Sequence, residues 1–291
     1  MRLRLTVFVI TIVLVQLGAA EPSRSPHRIV SLVPAVTEML YAIGAGEDVV
    51  GVSSFDQFPP EVASKPRVGA LLDPDFERIL RLKPDLVVVH GSQRDVIDRL
   101  TRARVPTFLS EDRTLADVGR SIRRLGERVG RASRAEAVAS SIERDLDEIR
   151  RRVSGRPHPR TALIFEREPG SLRAIYASGG LGFMHDMLEI AGGADVFGDI
   201  RRENLQVTTE VLLARAPDVI VEVHRSQGWT AERLARERDV WNALSSIPAV
   251  KSGRVYLLTD DRLSVPGPRV AEAVRVVARV LHPGAFEPTS R

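Results

Sequence analysis

The sequence predicts an α/β protein of two lobes, each built on a parallel β-sheet, joined by one long rigid α-helix, with a ligand cleft between the lobes. Three observations carry this reading. Short apolar runs alternate with helical segments from residue 28 to about 110, and again from about 160 to 283, which is the pattern of parallel βαβ units. Residues 115 to 153 between them hold no strand-like run and repeat their apolar residues at helical spacing. One phrase occurs twice, as FERILRLKPDLVVVH at 76 to 90 and TEVLLARAPDVIVEVH at 209 to 224.

RIVSL at 28 to 32 reads as a short buried strand. Pro34 suits the first turn of a helix, where its missing N–H costs nothing, and that helix runs to Ile43 before Gly44 stops it. Residues 49 to 52 form the next strand. Asp75 caps a short helix through Leu82, Pro84-Asp85 turns the chain, and 86 to 89 is a fully apolar strand. A helix rich in Asp and Arg leads to one more strand at 105 to 109. Val138, Ile142, Leu146, Ile149 and Val153 then follow one another by three or four, the stripe of one long amphipathic helix that Gly155-Arg156-Pro157 ends. Strands return at 161 to 165 and 174 to 177, a helix at 183 to 191, the repeated phrase, a strand at 255 to 258 and a closing helix at 270 to 281. The chain thus divides into a leader (1–20), a first lobe (27–131), a connecting helix (132–155) and a second lobe (156–285).

Composition narrows the function. With 43% hydrophobic and 27% charged residues in 291, the chain is an ordinary globular protein. Its formal charge of +4 is a mild excess, and aromatics are only 5%, which argues against a nucleic-acid partner. MRLRLTVFVITIVLVQLGAA has a basic start, a short apolar core and small residues at its end, the form of a secretory signal peptide cleaved after Ala20. The apolar run falls short of the ~20 residues that span a bilayer. There is no cysteine, hence no disulfide and no thiol for lipid attachment behind the leader. A soluble, exported, periplasmic monomer is expected.

The repeat places side chains. In open α/β sheets ligands gather outside the carboxyl ends of the strands. His90 and His224 end their strands there, and Glu77 and Glu210 stand at the helix starts on the same side. Each glutamate lies two residues after a capping residue, Asp75 or Thr208, where a carboxylate meets the helix dipole favourably. A neutral imidazole ligates cobalt or iron, so His90 or His224 is a candidate axial ligand; the plainer role for each is a hydrogen bond to a ligand side group or a strand end. Carboxylate and His residues are not clustered at bare-metal spacing. His185-Asp186 lacks a nucleophile to complete a triad, and GGLG at 179 to 182 lacks the lysine of a phosphate-binding loop, so no enzyme is expected.

Four segments in order, RIVSLVPAVTEMLYAIGAGEDVVGVSSFDQFPPE, FERILRLKPDLVVVH, YASGGLGFMHDMLEIAGGADVFGD and LTDDRLSVPGPRV, resemble the periplasmic binding proteins of ABC importers for cobalamin, haem and ferric siderophores. The resemblance covers about residues 28 to 283. It implies two Rossmann-like lobes with the ligand held between them and small lobe motions, a function in capture rather than catalysis, and no cofactor beyond the carried ligand. That ligand is expected to be cobalamin, with haem or a ferric siderophore as the alternative. The partner implied is an ABC permease of the inner membrane, docked through Glu77 and Glu210. Ligand contact falls to Phe55, Leu71, Leu72, His90 and His224, and to the segment Asp260, Asp261, Arg262, Leu263 and Ser264, with Arg269 beside them. Phe55 stands where tyrosine is common, and Leu71 and His90 stand where cobalamin binders carry tryptophan. Trp229 and Trp241 fall in none of the motifs.

Overall fold

The computed structural model describes residues 25–110 and 113–287; the signal peptide expected at 1–20 lies outside the described residues. The first lobe contains β1 (Ile29–Ser31), α1 (Pro34–Ala42), β2 (Val49–Val52), α2 (Phe76–Arg81), β3 (Leu86–His90), α3 (Arg94–Arg102) and β4 (Thr107–Ser110). Then come α4 (Leu115–Arg128) and the long α5 (Ala132–Val153). The second lobe contains β5 (Arg160–Glu166), β6 (Ile175–Ser178), α6 (Phe183–Ile190), β7 (Ala194–Asp195), β8 (Asn204–Val207), α7 (Thr209–Arg215), β9 (Val219–His224), α8 (Ala231–Asp239), α9 (Pro248–Lys251), β10 (Val255–Thr259) and α10 (Val270–Leu281).

The first sheet has the order β2-β1-β3-β4 and every pairing in it is parallel. The second, ordered β10-β9-β5-β6-β8 with β7 also on β5, is mixed: β10, β9, β5 and β7 run parallel, whereas β6 pairs antiparallel with both β5 and β8. The parallel strands expected for this lobe form the body of its sheet, and antiparallel β6 extends it on one side. The segment between β5 and β6 carries no helix, and without a crossover a neighbouring strand can only return antiparallel.

Helix α5 buries Ala135, Ala139, Ile142, Leu146, Ile149 and Val153 and packs along α4. Helix α10 comes back from the second lobe onto α5, and a single apolar cluster runs through α1, α4, α5, α6, α10 and β9. The lobes therefore share one core behind the cleft. Two further clusters cover the outer faces of the two sheets.

The repeated phrase forms the same device twice. Asp85 accepts from the backbone N–H of Arg28 at 2.8 Å, and Asp218 from that of Arg160 at 3.1 Å. Each of these arginines leads into the central strand of its lobe and donates to the end of the helix just before the Pro-Asp turn, Arg28 to the Leu82 carbonyl and Arg160 to the Arg215 carbonyl, both at 2.6 Å. The residue before each proline, Lys83 or Ala216, takes a left-handed backbone, with φ of 48° and 45°. That conformation ends a helix when the next residue is proline, which disfavours a further right-handed turn. The two lobes thus share a helix-turn-strand clamp down to individual hydrogen bonds.

Candidate functional site: a cleft between the lobes

The carboxyl ends of β3, β4 and β9 and the segment after β10 converge on a cleft of about 580 Å³, within the ~300–1,000 Å³ usual for ligand sites. Its first-lobe wall is mostly apolar: Val33, Pro34, Ala35, Phe55, Ala70, Leu71 and Leu72, with Asp73 beside Leu72 and His90 and Ser110 at the strand ends. The facing wall is shorter and more polar, with Arg225, Asp261 and Ser264 beside Val265 and Pro266. A smaller annex of about 190 Å³ continues past Phe55 to Gln57, Phe58, Glu38 and Arg269. Phe55 and Leu72 are 50% and 94% exposed, large apolar surfaces held open toward the gap.

His90 is held by its neighbours. Its backbone N–H donates to Gln93 Oε1 at 2.9 Å, and Gln93 Nε2 donates to the Leu71 carbonyl at 3.0 Å. Gln93, itself buried, ties two cleft residues together. The Ser92 backbone N–H donates to His90 Nδ1 at 3.2 Å, and the Ser92 hydroxyl lies 2.7 Å from the same nitrogen. The Ser92 N–H favours a proton-free Nδ1, which puts the ring's proton on Nε2. Nε2 is then a donor, suited to an amide carbonyl or a carboxylate on a ligand.

His224 lies elsewhere, which corrects its placement among the ligand contacts. On a strand residues two apart share a face, and His224 follows Glu222 by two. Both point to the outer face of the second sheet: His224 Nε2 is 2.8 Å from Glu222 Oε1, and Trp229 lies against its ring at 4.2 Å. Glu222 is wholly buried and also holds Arg167 at 2.9 Å and Trp241 Nε1 at 2.8 Å, while Arg167 reaches Glu237 at 2.8 Å. This network anchors the strand end and the loop that carries Arg225. A charged residue inside the apolar run VIVEVH was the available signal for it.

The segment after β10 divides in the same manner. Asp261 and Ser264 reach the cleft, but Leu263 is wholly buried in the shared core, so it cannot line the gap as expected. Asp260 caps the short 3-10 turn at Asp261–Ser264 through the Arg262 N–H and pairs with the Arg262 guanidinium at 2.6 Å, while Arg262 also meets Glu272. Neither Asp260 nor Arg262 borders the cleft. Asp261 accepts from the N–H and hydroxyl of Ser226 and so fixes the loop beside it. Arg269 grips the buried Glu38 of α1 with two hydrogen bonds of 2.8 and 2.6 Å and stacks over Phe58 at 3.8 Å, an ion pair that bridges the lobes.

The sequence pointed neither to Arg225 nor to Gln93. Arg225 borders both the cleft and its annex, with its guanidinium 5.5 Å from the Phe55 ring, inside cation–π range. Among the described residues no carboxylate pairs with it. Glu77 and Glu210 are exposed at the starts of α2 and α7, one on each lobe. The Thr208 hydroxyl and nearby backbone N–H hold the Glu210 carboxyl below the usual range. His185 is turned to Asp195 at 3.1 Å, and Asp186 accepts from the Leu115 N–H at 2.9 Å, both away from the cleft. Gly179 to Gly182 make the tight entry to α6: a Cβ on Gly180 would collide with the Gly198 carbonyl oxygen. Among the described residues no group of three or more His, Asp or Glu is placed to hold a metal ion.

Residues 29–262 match the family of periplasmic binding proteins, and the chain belongs to that family. An uncharacterized ABC transporter substrate-binding lipoprotein of Bacillus subtilis is 32% identical over 91% of this chain and 82% of its own. The vitamin B12-binding protein of Pectobacterium atrosepticum is 26% identical over 91% and 92%. Among solved structures, the periplasmic haem-binding protein RhuT of Roseiflexus superposes with a TM-score of 0.75 at 25% identity, over 89% of this chain and 99% of that one. The chain is a solute-binding protein of the ABC importer class, whose relatives are transport proteins rather than enzymes, and its class implies a small-molecule ligand and a membrane permease as partner. Among the described residues no helix is long and apolar enough to cross a membrane.

Proposed function

We propose that the protein captures a corrinoid, cobalamin, in the cleft between its lobes and delivers it to an ABC-type permease of the inner membrane. The observation that carries this reading is His90, whose Nδ1 faces the Ser92 N–H at 3.2 Å, an arrangement that favours a donor at Nε2. A corrin edged with amide carbonyls suits a donor, whereas an open iron coordination site calls for a lone pair. Phe55, Leu71 and Leu72 supply the apolar wall for a large flat ring, and Arg225, Asp261 and Ser264 meet its polar edge. Support also comes from the length over which the vitamin B12-binding relative aligns.

Export through the leader, cleaved after Ala20, places the protein in the periplasm, and the absence of cysteine leaves no thiol for a lipid anchor. Glu77 and Glu210 are the docking carboxylates toward the permease. Haem or a ferric siderophore remains as the second reading, and Arg225 favours it, since a cleft guanidinium suits a propionate or an anionic chelate. Colour separates the two. Protein purified from cells supplied with both cobalamin and haem carries a corrinoid absorption spectrum under this proposal; protein carrying a haem spectrum and no corrinoid would overturn it.

A further inference from the structure

Among the described residues seven large hydrophobic side chains are exposed: Phe55, Phe58, Leu71, Leu72, Leu80, Val211 and Leu213. The first four border the cleft or its annex. The other three all lie on α2 and α7, the helices that carry Glu77 and Glu210. Leu80 follows Glu77 by three residues and Leu213 follows Glu210 by three, so each leucine shares a helix face with its glutamate. The leucines also occupy equivalent positions of the repeated phrase, and their exposures, 36% and 40%, are close.

Isolated exposed leucines are ordinary on any protein surface. Leucines matched in position, exposure and carboxylate neighbour on two lobes are not accounted for that way. Nor does packing require them: the buried residue of each helix is the one just before the leucine, Ile79 in α2 and Leu212 in α7.

We infer that Leu80 and Leu213, with Val211 beside the latter, are the apolar half of two matched docking patches whose partner is the permease, which presents a cationic side chain next to an apolar one at two equivalent places. The inference rests on the docking role proposed above for Glu77 and Glu210. A carboxylate paired with a guanidinium in open water is screened and contributes little. Apolar contact around such a pair excludes water and lets the charges couple strongly, the arrangement found at the centres of protein interfaces. Two copies of one patch on one chain fit a partner that repeats its own surface, as a symmetric dimer does.

The test compares Leu80→Gln with Leu213→Gln, and separately Glu77→Ala with Glu210→Ala, against the unsubstituted protein. The partner is the permease whose transport the unsubstituted protein stimulates, held in lipid nanodiscs, and dissociation is read by biolayer interferometry. The leucine pair is expected to weaken the complex about tenfold or more, in the range of interface contacts of this kind. Each single leucine variant should take a comparable share, and cyanocobalamin affinity and thermal midpoint should stay near those of the unsubstituted protein. Weakening by the glutamate pair with the leucine pair unchanged would overturn the inference and leave the docking reading standing. A loss confined to one leucine would overturn the matched-patch assignment, and no weakening by either pair would overturn both.

Discussion

At His90 the chemistry open to the ring is set by a serine two residues on. Because Ser92 N–H donates to Nδ1, His90→Ala should remove one hydrogen bond to the ligand and lower cobalamin affinity about fivefold to tenfold, the scale of ~1 kcal/mol for a single bond. The visible bands of the bound corrinoid should not move. A band shift on substitution would mean that the ring ligates the metal. Leu263 makes the opposite case, a residue beside the cleft that belongs to the core. Leu263→Ala should cost about 2–5 kcal/mol of stability, as for other wholly buried leucines, with ligand affinity unchanged in the folded fraction; urea melts and calorimetry measure the two separately.

Asp56, next to Phe55, is buried, and burial pushes its carboxyl up to about 6 from 3.8, offset in part by the Thr37 and Ser53 hydroxyls and by Arg67. The folded state then holds the proton more tightly than the unfolded chain, so this group's contribution to stability is lost as pH rises from about 4 to about 6. Asp56→Asn should therefore stabilise the protein at pH 7.5, by about 1–3 kcal/mol for a shift of this size, and the gain should shrink toward pH 4. A gain equal at both pH values would show that the carboxyl's ionisation is not its source.

At the scale of elements, the repeated helix, turn and strand proves to be two things laid over each other. Pro-Asp is a structural clamp, with Asp85 and Asp218 gripping the chain before β1 and β5. Asp85→Ala and Asp218→Ala should each lower stability by ~1 kcal/mol without touching transport. The glutamates at the other end of the same helices behave inversely. As exposed helix-start carboxylates they add only ~0.3–1 kcal/mol to folding, yet Glu77→Ala with Glu210→Ala should leave ligand affinity nearly intact and abolish stimulated uptake in reconstituted vesicles. Uptake at the unmutated rate would reduce the pair to helix caps.

This division explains what could be read from the chain. Caps, prolines and apolar periodicity act locally, so α1, α2, α5 and α10 were legible within a residue or two. His90 was reachable because strand ends face the ligand side of a parallel sheet, whereas Phe55, Leu71 and Leu72 were reached only through the resemblance to the binding-protein family. What escaped depended on contacts far apart in sequence. Gln93 matters through a bond to Leu71 across 22 residues, and Arg225 through the Phe55 ring on the other lobe. Leu263 and Ser264 are neighbours whose opposite fates are decided by how a single 3-10 turn sits on the shared core. The face that His224 occupies was readable from Glu222, by strand alternation.

For the whole molecule, the shared core through α4, α5 and α10 and the Glu38–Arg269 bridge hold the lobes against each other behind an open cleft. That frame suits a receptor that grips a rigid ligand with little closure. The proposed corrinoid ligand is tested by isothermal titration calorimetry with cyanocobalamin and with haemin. One-to-one binding of cyanocobalamin at or below ~1 μM, about −8 kcal/mol or stronger, with haemin at least about tenfold weaker, is the expected result. One-to-one haemin binding with the spectrum of an axially ligated iron, and no heat from cyanocobalamin, would contradict it.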